Sequence, residues 1–477
     1  MNNSTIRRHR LLIVVVSLVL GACSVGPDYV KPTVETPAAY KEVEGWKQAQ
    51  PADTLLKTKW WELFGDPDLN RLEEQVAISN QNIAQAAARF RQARALVEGA
   101  KAAYYPSLTV GASATRSLGS ANAGRSLGAQ SAIQSDFLLP VNLSWELDVW
   151  GRIGRSVEAS KAGLQASAAD LAAVQLSAQA ELASDYMQLR SLDAQKQYLD
   201  DTITYYRKAV ELTQNRYSAG IAAKVDLLQA DTQLKSTQAQ MIDLGGLRAQ
   251  LEHAIATLIG KPAGAFSLSL LPLTAAPPPI PLALPSELLE RRPDIATAER
   301  LMASANAQIG VARAAYYPTV KLGTSIGLEA SEISKWLTWP SRFWSVGPTV
   351  SQTVFDGGLR HAQSDQALAV YDATVAFYRQ TVLDAFRDVE DNLAVLRILA
   401  EEAKVQDEAV EAAKQTVQIT LNQYQSGVVG YLNVVTAQTA ELANRRTAIG
   451  ILGRRMTAAV LLIKALGGGW DHAGTGK

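Results

Sequence analysis

The chain of 477 residues has one cysteine, four histidines and no formal net charge. One cysteine excludes an intrachain disulfide. Forty-six basic residues against 46 acidic ones leave no basic excess for nucleic acid. Aromatic residues make up only 7% of the chain, whereas Ala, Leu, Gln and Ser abound. That composition suits long helices better than one thick core. The histidines, His9, His253, His361 and His472, are scattered. There is no Walker A loop, no H-E-x-x-H and no cysteine cluster. Neither an enzyme nor a metal or cofactor site is expected. Past Leu20 no run is long and apolar enough for a transmembrane helix. A chain of this kind that crosses a membrane must do so with strands.

The N-terminus carries Arg7, Arg8 and Arg10, then a short apolar run from Leu11 to Leu20. This pattern fits a secretory signal peptide over residues 1–22. It ends in Leu20-Gly21-Ala22-Cys23, which resembles a bacterial lipobox. The lone cysteine stands where lipid attachment requires it, and several acyl chains on one residue suffice for stable anchoring. Ser24, in place of aspartate, favours sorting to the outer membrane by resemblance to bacterial lipoproteins.

Ala102-Ala103-Tyr104-Tyr105-Pro106 recurs unchanged as Ala314-Ala315-Tyr316-Tyr317-Pro318. Asp148 with Gly151-Arg152 answers to Asp356 with Gly357, Gly358 and Arg360. Asn215-Arg216-Tyr217-Ser218-Ala219-Gly220 answers to Asn422-Gln423-Tyr424-Gln425-Ser426-Gly427, and Leu258-Ile259-Gly260 to Ala465-Leu466-Gly467. All four anchors share an offset of about 210 residues, the mark of a tandem duplication. Two intertwined halves are expected.

Residues 23–66 read as a Pro-rich extended arm, residues 67–271 as the first repeat and 286–467 as the second. Residues 272–285 form a Pro-rich linker, and 468–477 a tail without structure. Within repeat one, three- and four-residue spacing predicts a helix from Leu69 to Tyr105, stopped by Pro106. A hairpin follows over 106–149. Val141, Leu143, Trp145, Leu147 and Val149 alternate with Asn142, Ser144, Glu146 and Asp148, so one face is apolar and the other polar. A long helix over 154–215 and a return helix over 225–259 come next. Repeat two gives a hairpin over 318–355, with a weaker return strand from Ser345 to Phe355, then helices over 359–422 and 432–466. A helix of about 60 residues is roughly 90 Å long, and its near-heptad apolar stripe implies coiled-coil packing.

Four strands cannot close a transmembrane barrel, which takes at least about eight. An open sheet edge in hydrocarbon leaves backbone groups unpaired. Closure must come from further copies, with polar faces lining a lumen and apolar faces meeting lipid. The lipobox, the duplicated helix–YYP–hairpin–long helix–Gly turn–return helix unit and the Asn-x-Tyr-x-x-Gly motifs resemble the TolC-like outer-membrane factor family. The lipidated OprM/NodT-type efflux lipoproteins match best. The resemblance covers Cys23 to Gly467. It implies an α+β membrane protein, a homotrimer whose 12-stranded β-barrel continues as a long periplasmic α-helical barrel. It also implies outer-membrane lipid around the barrel, a periplasmic membrane-fusion adaptor and an inner-membrane RND pump as partners.

The expected working residues lie at the glycine turns, since glycine permits a reversal between packed helices. Arg216, Tyr217, Gly220, Val225 and Asp226, with Gln423, Tyr424, Gly427, Leu432 and Thr436, are assigned to the periplasmic aperture and adaptor-contacting tips. Alternatively, Tyr217 and Tyr424 simply pack the turn and Arg216 pairs with a carboxylate. In relatives an aspartate ring and a leucine ring close the aperture. Leu432 matches the leucine, Thr436 stands where the aspartate would be, and Asp226 and Asp231 are the other acidic candidates. Trp336, Trp339 and Trp344 suit either an interface girdle or a loop core; Trp145 is the better girdle residue. The expected function is a passive exit duct for drugs or other small toxic compounds. The duct of a type I protein secretion system has the same fold. A lipid-anchored spacer would have no use for one-sided apolar strands.

Overall fold

The computed structural model describes residues 25–34, 36–37, 39–43, 59–120, 133–280 and 291–468. The expected signal peptide, Cys23, residues 281–285 of the linker and the tail from 469 lie outside the described residues. No helix among the described residues is long and apolar enough to cross a membrane. The chain forms two compact units, and neither corresponds to one repeat. Each takes segments from both copies.

The first unit comprises residues through Pro32, Phe90–Ala166 and Ala298–Tyr378. Its sheet contains β1 (Ser107–Val110), β2 (Ser113–Leu118), β3 (Ile133–Leu147), β4 (Thr319–Ala330) and β5 (Arg342–Ser351). The order is β1-β3-β4-β5, all antiparallel, with β2 also on β3. The first hairpin's outgoing strand is thus split. Gly111 N–H donates to Pro140 O at 3.0 Å, and Pro140 has no N–H to return. The β3–β4 pairing fuses the two hairpins into one sheet.

Register makes the sheet two-faced. Val141 stands opposite Ile326, which stands opposite Trp344; Trp145 opposite Leu322, opposite Pro348; Leu147 opposite Val320, opposite Val350. The other face carries Asn142, Ser144 and Glu146 beside Ser325, Gly323 and Lys321. Leu108, Val110, Val346 and Val350 are exposed on the apolar face, and nothing among the described residues covers them. The second return strand differs from the expected Ser345–Phe355. It begins at Arg342 and ends at Ser351. Gln352 falls beyond its end and donates to Tyr316 O at 3.3 Å, and Phe355 is exposed outside the strand.

Both YYP corners accept a tryptophan N–H. Trp145 Nε1 donates to Tyr104 O at 2.9 Å and Trp150 Nε1 to Pro318 O at 2.7 Å. The Trp150 ring also stacks on Tyr317 at 4.8 Å. The duplicated aspartates start the long helices α3 (Arg152–Ser218) and α6 (Leu359–Gln425), each of 67 residues. Asp148 accepts from Ile153 N and Gly154 N at 2.8 and 2.7 Å. Asp356 accepts from Gly358 N and Arg360 N. Carboxylates at these N-termini satisfy helix donors left without an intrahelical partner.

The segment after Cys23 is fastened to the same unit. Val25 N donates to Trp150 O at 3.1 Å. Asn306, on α5 (Pro293–Ala314), donates to Pro27 O at 3.0 Å. Arg155 pairs with Asp28 at 2.8 Å and Lys31 with Glu299 at 3.1 Å. Gly26 crosses Gly310 so closely that a Cβ on Gly26 would lie 2.5 Å from Gly310 Cα.

The second unit comprises Thr33–Arg89, Ser167–Thr297 and the chain from Arg379 on. The helix expected to run unbroken from Leu69 to Tyr105 is two helices, α1 (Pro67–Ser79) and α2 (Gln81–Ala102). Asn80 makes the break. It is buried and extended, with its Oδ1 accepting from Asn82 N and Ile83 N while its Nδ2 donates to Leu258 O. A short side chain that bonds its own backbone competes with helix continuation. The end of the expected extended arm is also not peripheral. Residues Trp60–Phe64 form a 3-10 turn, and Trp60, Trp61 and Phe64 join Leu69, Tyr186, Leu189, Ile255 and Leu462 in the main core.

The return helices are α4 (Lys224–Leu258) and α7 (Tyr431–Ala465). Thr439 donates to Gln233 and Arg446 to Gln240, both across 206 residues of chain. Matching positions of the two repeats therefore meet at equal heights, with the helices running in the same direction. A buried charge cluster holds the end of the first repeat, just before the linker, against α3. Asp193 accepts from Arg190 and Arg248, and their guanidiniums also donate to Ser269 O and Leu268 O.

Candidate functional site

The helical turns between α3 and α4 and between α6 and α7 both lie in the second unit. They end alike. Gly220 N donates to Tyr217 O and Ile221 N to Arg216 O; Gly427 N donates to Tyr424 O and Val428 N to Gln423 O. Both glycines sit near φ +75°, the left-handed geometry of a Schellman cap. The sequence anchor Asn-x-Tyr-x-x-Gly is thus a helix stop used twice.

The two turns pack on each other asymmetrically. Tyr424 is buried with Tyr431, Val434 and Ala230. Its ring meets Tyr431 edge-on at 5.1 Å. Arg216 of the first repeat lies over the Tyr424 ring, 5.1 Å from its centroid. Burial raises the Tyr424 phenol above its ordinary range, Asp226 adds to this, and Arg216 opposes it. The Tyr431 phenol is raised chiefly by burial as well.

The assigned residues therefore separate. Arg216, Tyr424 and Asp226 come together, with Arg216 facing an aromatic ring rather than a carboxylate. Tyr424 packs the turn, whereas Tyr217, its counterpart by repeat, is exposed. Val225 and Leu432, equivalent positions in the first turns of α4 and α7, are exposed, Leu432 at 59%. Thr436 gives its hydroxyl to Leu432 O at 2.9 Å, one turn back on its own helix. Gln423 and Gly220 are exposed, as is Gly427. Cys23 lies outside the described residues.

Sequence reasoning missed Ile221, Leu228 and Val428, which are exposed and apolar beside Val225 and Leu432. It also missed Tyr431 as a core residue of the turn. Ile221 and Val428 directly follow the two glycines; an apolar residue there usually packs back on its helix. Their exposure in this chain is the unusual feature. Among the described residues no group of three His, Cys, Asp or Glu side chains is placed to hold a metal.

Comparison with known proteins agrees with this geometry over nearly the whole chain. The model of the family described as "Outer membrane efflux protein" matches residues 72–261 and 284–468. The pyoverdine export outer membrane protein OpmQ of Pseudomonas aeruginosa is 30% identical, with 97% of each chain covered. The cation efflux system protein CusC of Escherichia coli is 29% identical, covering 97% of this chain and 99% of CusC. Among solved structures, the outer-membrane channel OprN superposes with a TM-score of 0.88 at 32% identity, over 94% of this chain and all of that one. The fold is that of an outer-membrane channel, and the chain belongs to the outer membrane efflux protein family.

Proposed function

We propose that this chain is the outer-membrane exit duct of a tripartite efflux system. Three copies would close a 12-stranded barrel above a helical conduit. One observation carries the reading: among the described residues the sheet has a bare apolar face and two open edges, at β1/β2 and at β5. Open edges in hydrocarbon leave backbone groups unpaired, so other copies must pair them. The polar face, with Asn142, Ser144, Glu146 and Lys321, then lines a wet lumen.

The exposed apolar residues at the helical turns are the contact surface for a periplasmic adaptor, which couples the duct to an inner-membrane RND-type pump. Leu432 narrows the aperture. Thr436 spends its hydroxyl on its own helix, which disfavours a gate built at that level on polar contacts between chains. Cys23 is the lipid anchor. Val25, two residues on, is held at Trp150, just past the end of β3, and this supports an anchor at the level where strands give way to helices. The duct does no chemistry on its cargo. Its relatives include proteins named for pyoverdine export and for cation and toluene efflux, so the cargo here is read as small molecules.

Two measurements test this. The purified protein should run as a trimer and conduct ions in planar bilayers. It should also co-purify with an adaptor and a pump rather than with a protein secretion apparatus. A non-conducting monomer would overturn the duct; a secretion partner would overturn the efflux assignment.

A further inference from the structure

The far end of the sheet, away from the helices, sorts its charges by face. Side chains alternate along β3, so Ile133, Ser135, Phe137 and Leu139 share the apolar face with Val141 and Leu143. Arg116 stands opposite Ser135, and Arg342 opposite Leu328, itself opposite Leu139. Both arginines therefore stand on the apolar face. The acids of this end do not. Asp136 and Glu329 occupy alternate positions, on the polar face. Glu332, in the loop, is taken by Lys335 at 2.9 Å. Among the described residues neither arginine has a carboxylate partner.

Around Arg342 the face is aromatic and held in shape. Its guanidinium lies over the Trp339 ring at 4.3 Å, and Trp336 packs on Phe137 at 5.9 Å. The loop between β4 and β5 is braced by Thr338 and Ser341 hydroxyls on Lys335 O. Trp339 and Trp344 are largely exposed. Tryptophan favours the membrane interface, and an arginine turned to lipid is tolerated there but costly at mid-bilayer.

We infer that Arg116 and Arg342 form a docking site for a phosphate-bearing glycolipid of the outer leaflet, one that carries two phosphates. The inference rests on the membrane reading of the sheet. Two guanidiniums without carboxylates call for two anionic groups, and guanidinium binds phosphate through paired hydrogen bonds. The acyl chains would lie on the apolar band below, and the tryptophans would flank the sugar.

The test uses the full-length protein in nanodiscs of phosphatidylcholine doped with bisphosphorylated lipid A, dephosphorylated lipid A or phosphatidylglycerol. Retained lipid is counted by native mass spectrometry. The wild type should retain bisphosphorylated lipid A at least about tenfold over either other lipid, a gap of about 1.4 kcal/mol. The double variant Arg116→Gln/Arg342→Gln should lose that preference, and Arg116→Lys/Arg342→Lys should keep part of it. Equal retention by wild type and the glutamine double variant overturns the inference. So does retention of phosphatidylglycerol equal to that of lipid A, which would reveal unspecific attraction to anions. Conductance in phosphatidylcholine bilayers separates the two readings. If the channel conducts and shows no lipid preference, only the docking site falls; if wild type does not conduct, the membrane reading and the site fall together.

Discussion

Arg216 and Tyr424 join the two repeats at their turns, the guanidinium of one resting 5.1 Å from the ring centroid of the other. Arg216 lies in the last turn of α3 in the first copy and Tyr424 in the last turn of α6 in the second. A contact of this kind contributes about 0.5–1 kcal/mol at a partly exposed site. Arg216→Gln should therefore leave the melting temperature within about 4 °C of wild type. It should nevertheless raise the open probability of single channels, because it releases one turn from the other. Tyr424→Ala is a different experiment. It empties a buried ring position and should cost about 3–5 kcal/mol. An Arg216→Gln channel that gates like wild type would remove this contact from the closing mechanism.

Leu432 allows a cleaner test of the aperture. It is exposed in the chain and neighbours the buried Tyr431 on the first turn of α7. Surface changes away from special features usually stay within about 0.5 kcal/mol, so Leu432→Ala should fold normally. Conductance should rise, and cells relying on this protein should become more sensitive to large antibiotics that the outer membrane excludes. Unchanged conductance with normal folding would take Leu432 out of the gate. Thr436→Val should change neither property, since its hydroxyl serves only its own helix.

The crossing of Gly26 over Gly310 predicts how the N-terminal segment can be loosened. A Cβ at position 310 would meet Arg155 Cγ at 2.7 Å and Val25 O at 3.0 Å. Gly26 sits at φ +112° besides, where any side chain is strained. Overpacking of this type costs about 1–3 kcal/mol. Gly310→Ala should push residues 25–28 away and expose them to protease, while the sheet and the channel persist. If limited proteolysis cuts the variant no faster than wild type, the crossing does not hold the segment.

The large features of this fold were legible because repetition and periodicity are local signals. The apolar alternation of β3 and the paired YYP corners were plain in the letters. So were the glycines that stop α3 and α6. The break at Asn80 was not, because the apolar spacing from Leu69 to Phe90 passes straight through it. What decides there is an Asn side chain capping α2 while reaching Leu258, 178 residues away. Trp60 and Trp61 hid for a similar reason. They follow a Pro-rich stretch, and only tertiary packing makes them core. At the turns, Gly220 and Gly427 could be read, but the asymmetry that buries Tyr424 and exposes Tyr217 could not. Two equal motifs share one contact, and only one ring can fill it.

Glu73 gives a prediction in pH. It lies on the buried stripe of α1 with Leu69, Leu72 and Val76, fully inaccessible, and neither carboxyl oxygen has a hydrogen-bond partner. Burial pushes its pKa from an ordinary 4.5 up to about 9. Below the ordinary value the carboxyl is protonated in folded and unfolded chains alike and contributes nothing to pH dependence. Between the two values the unfolded chain has released the proton and the folded chain keeps it. The unfolded state then binds fewer protons, so stability falls as pH rises through that window. Glu73→Gln keeps the shape and removes the ionisation. The variant should melt with wild type at about pH 4 and above it at about pH 8, the gap widening with pH by at most about 1.4 kcal/mol per unit. A gap that stays constant between those two conditions would mean that Glu73 keeps its ordinary acidity inside the core.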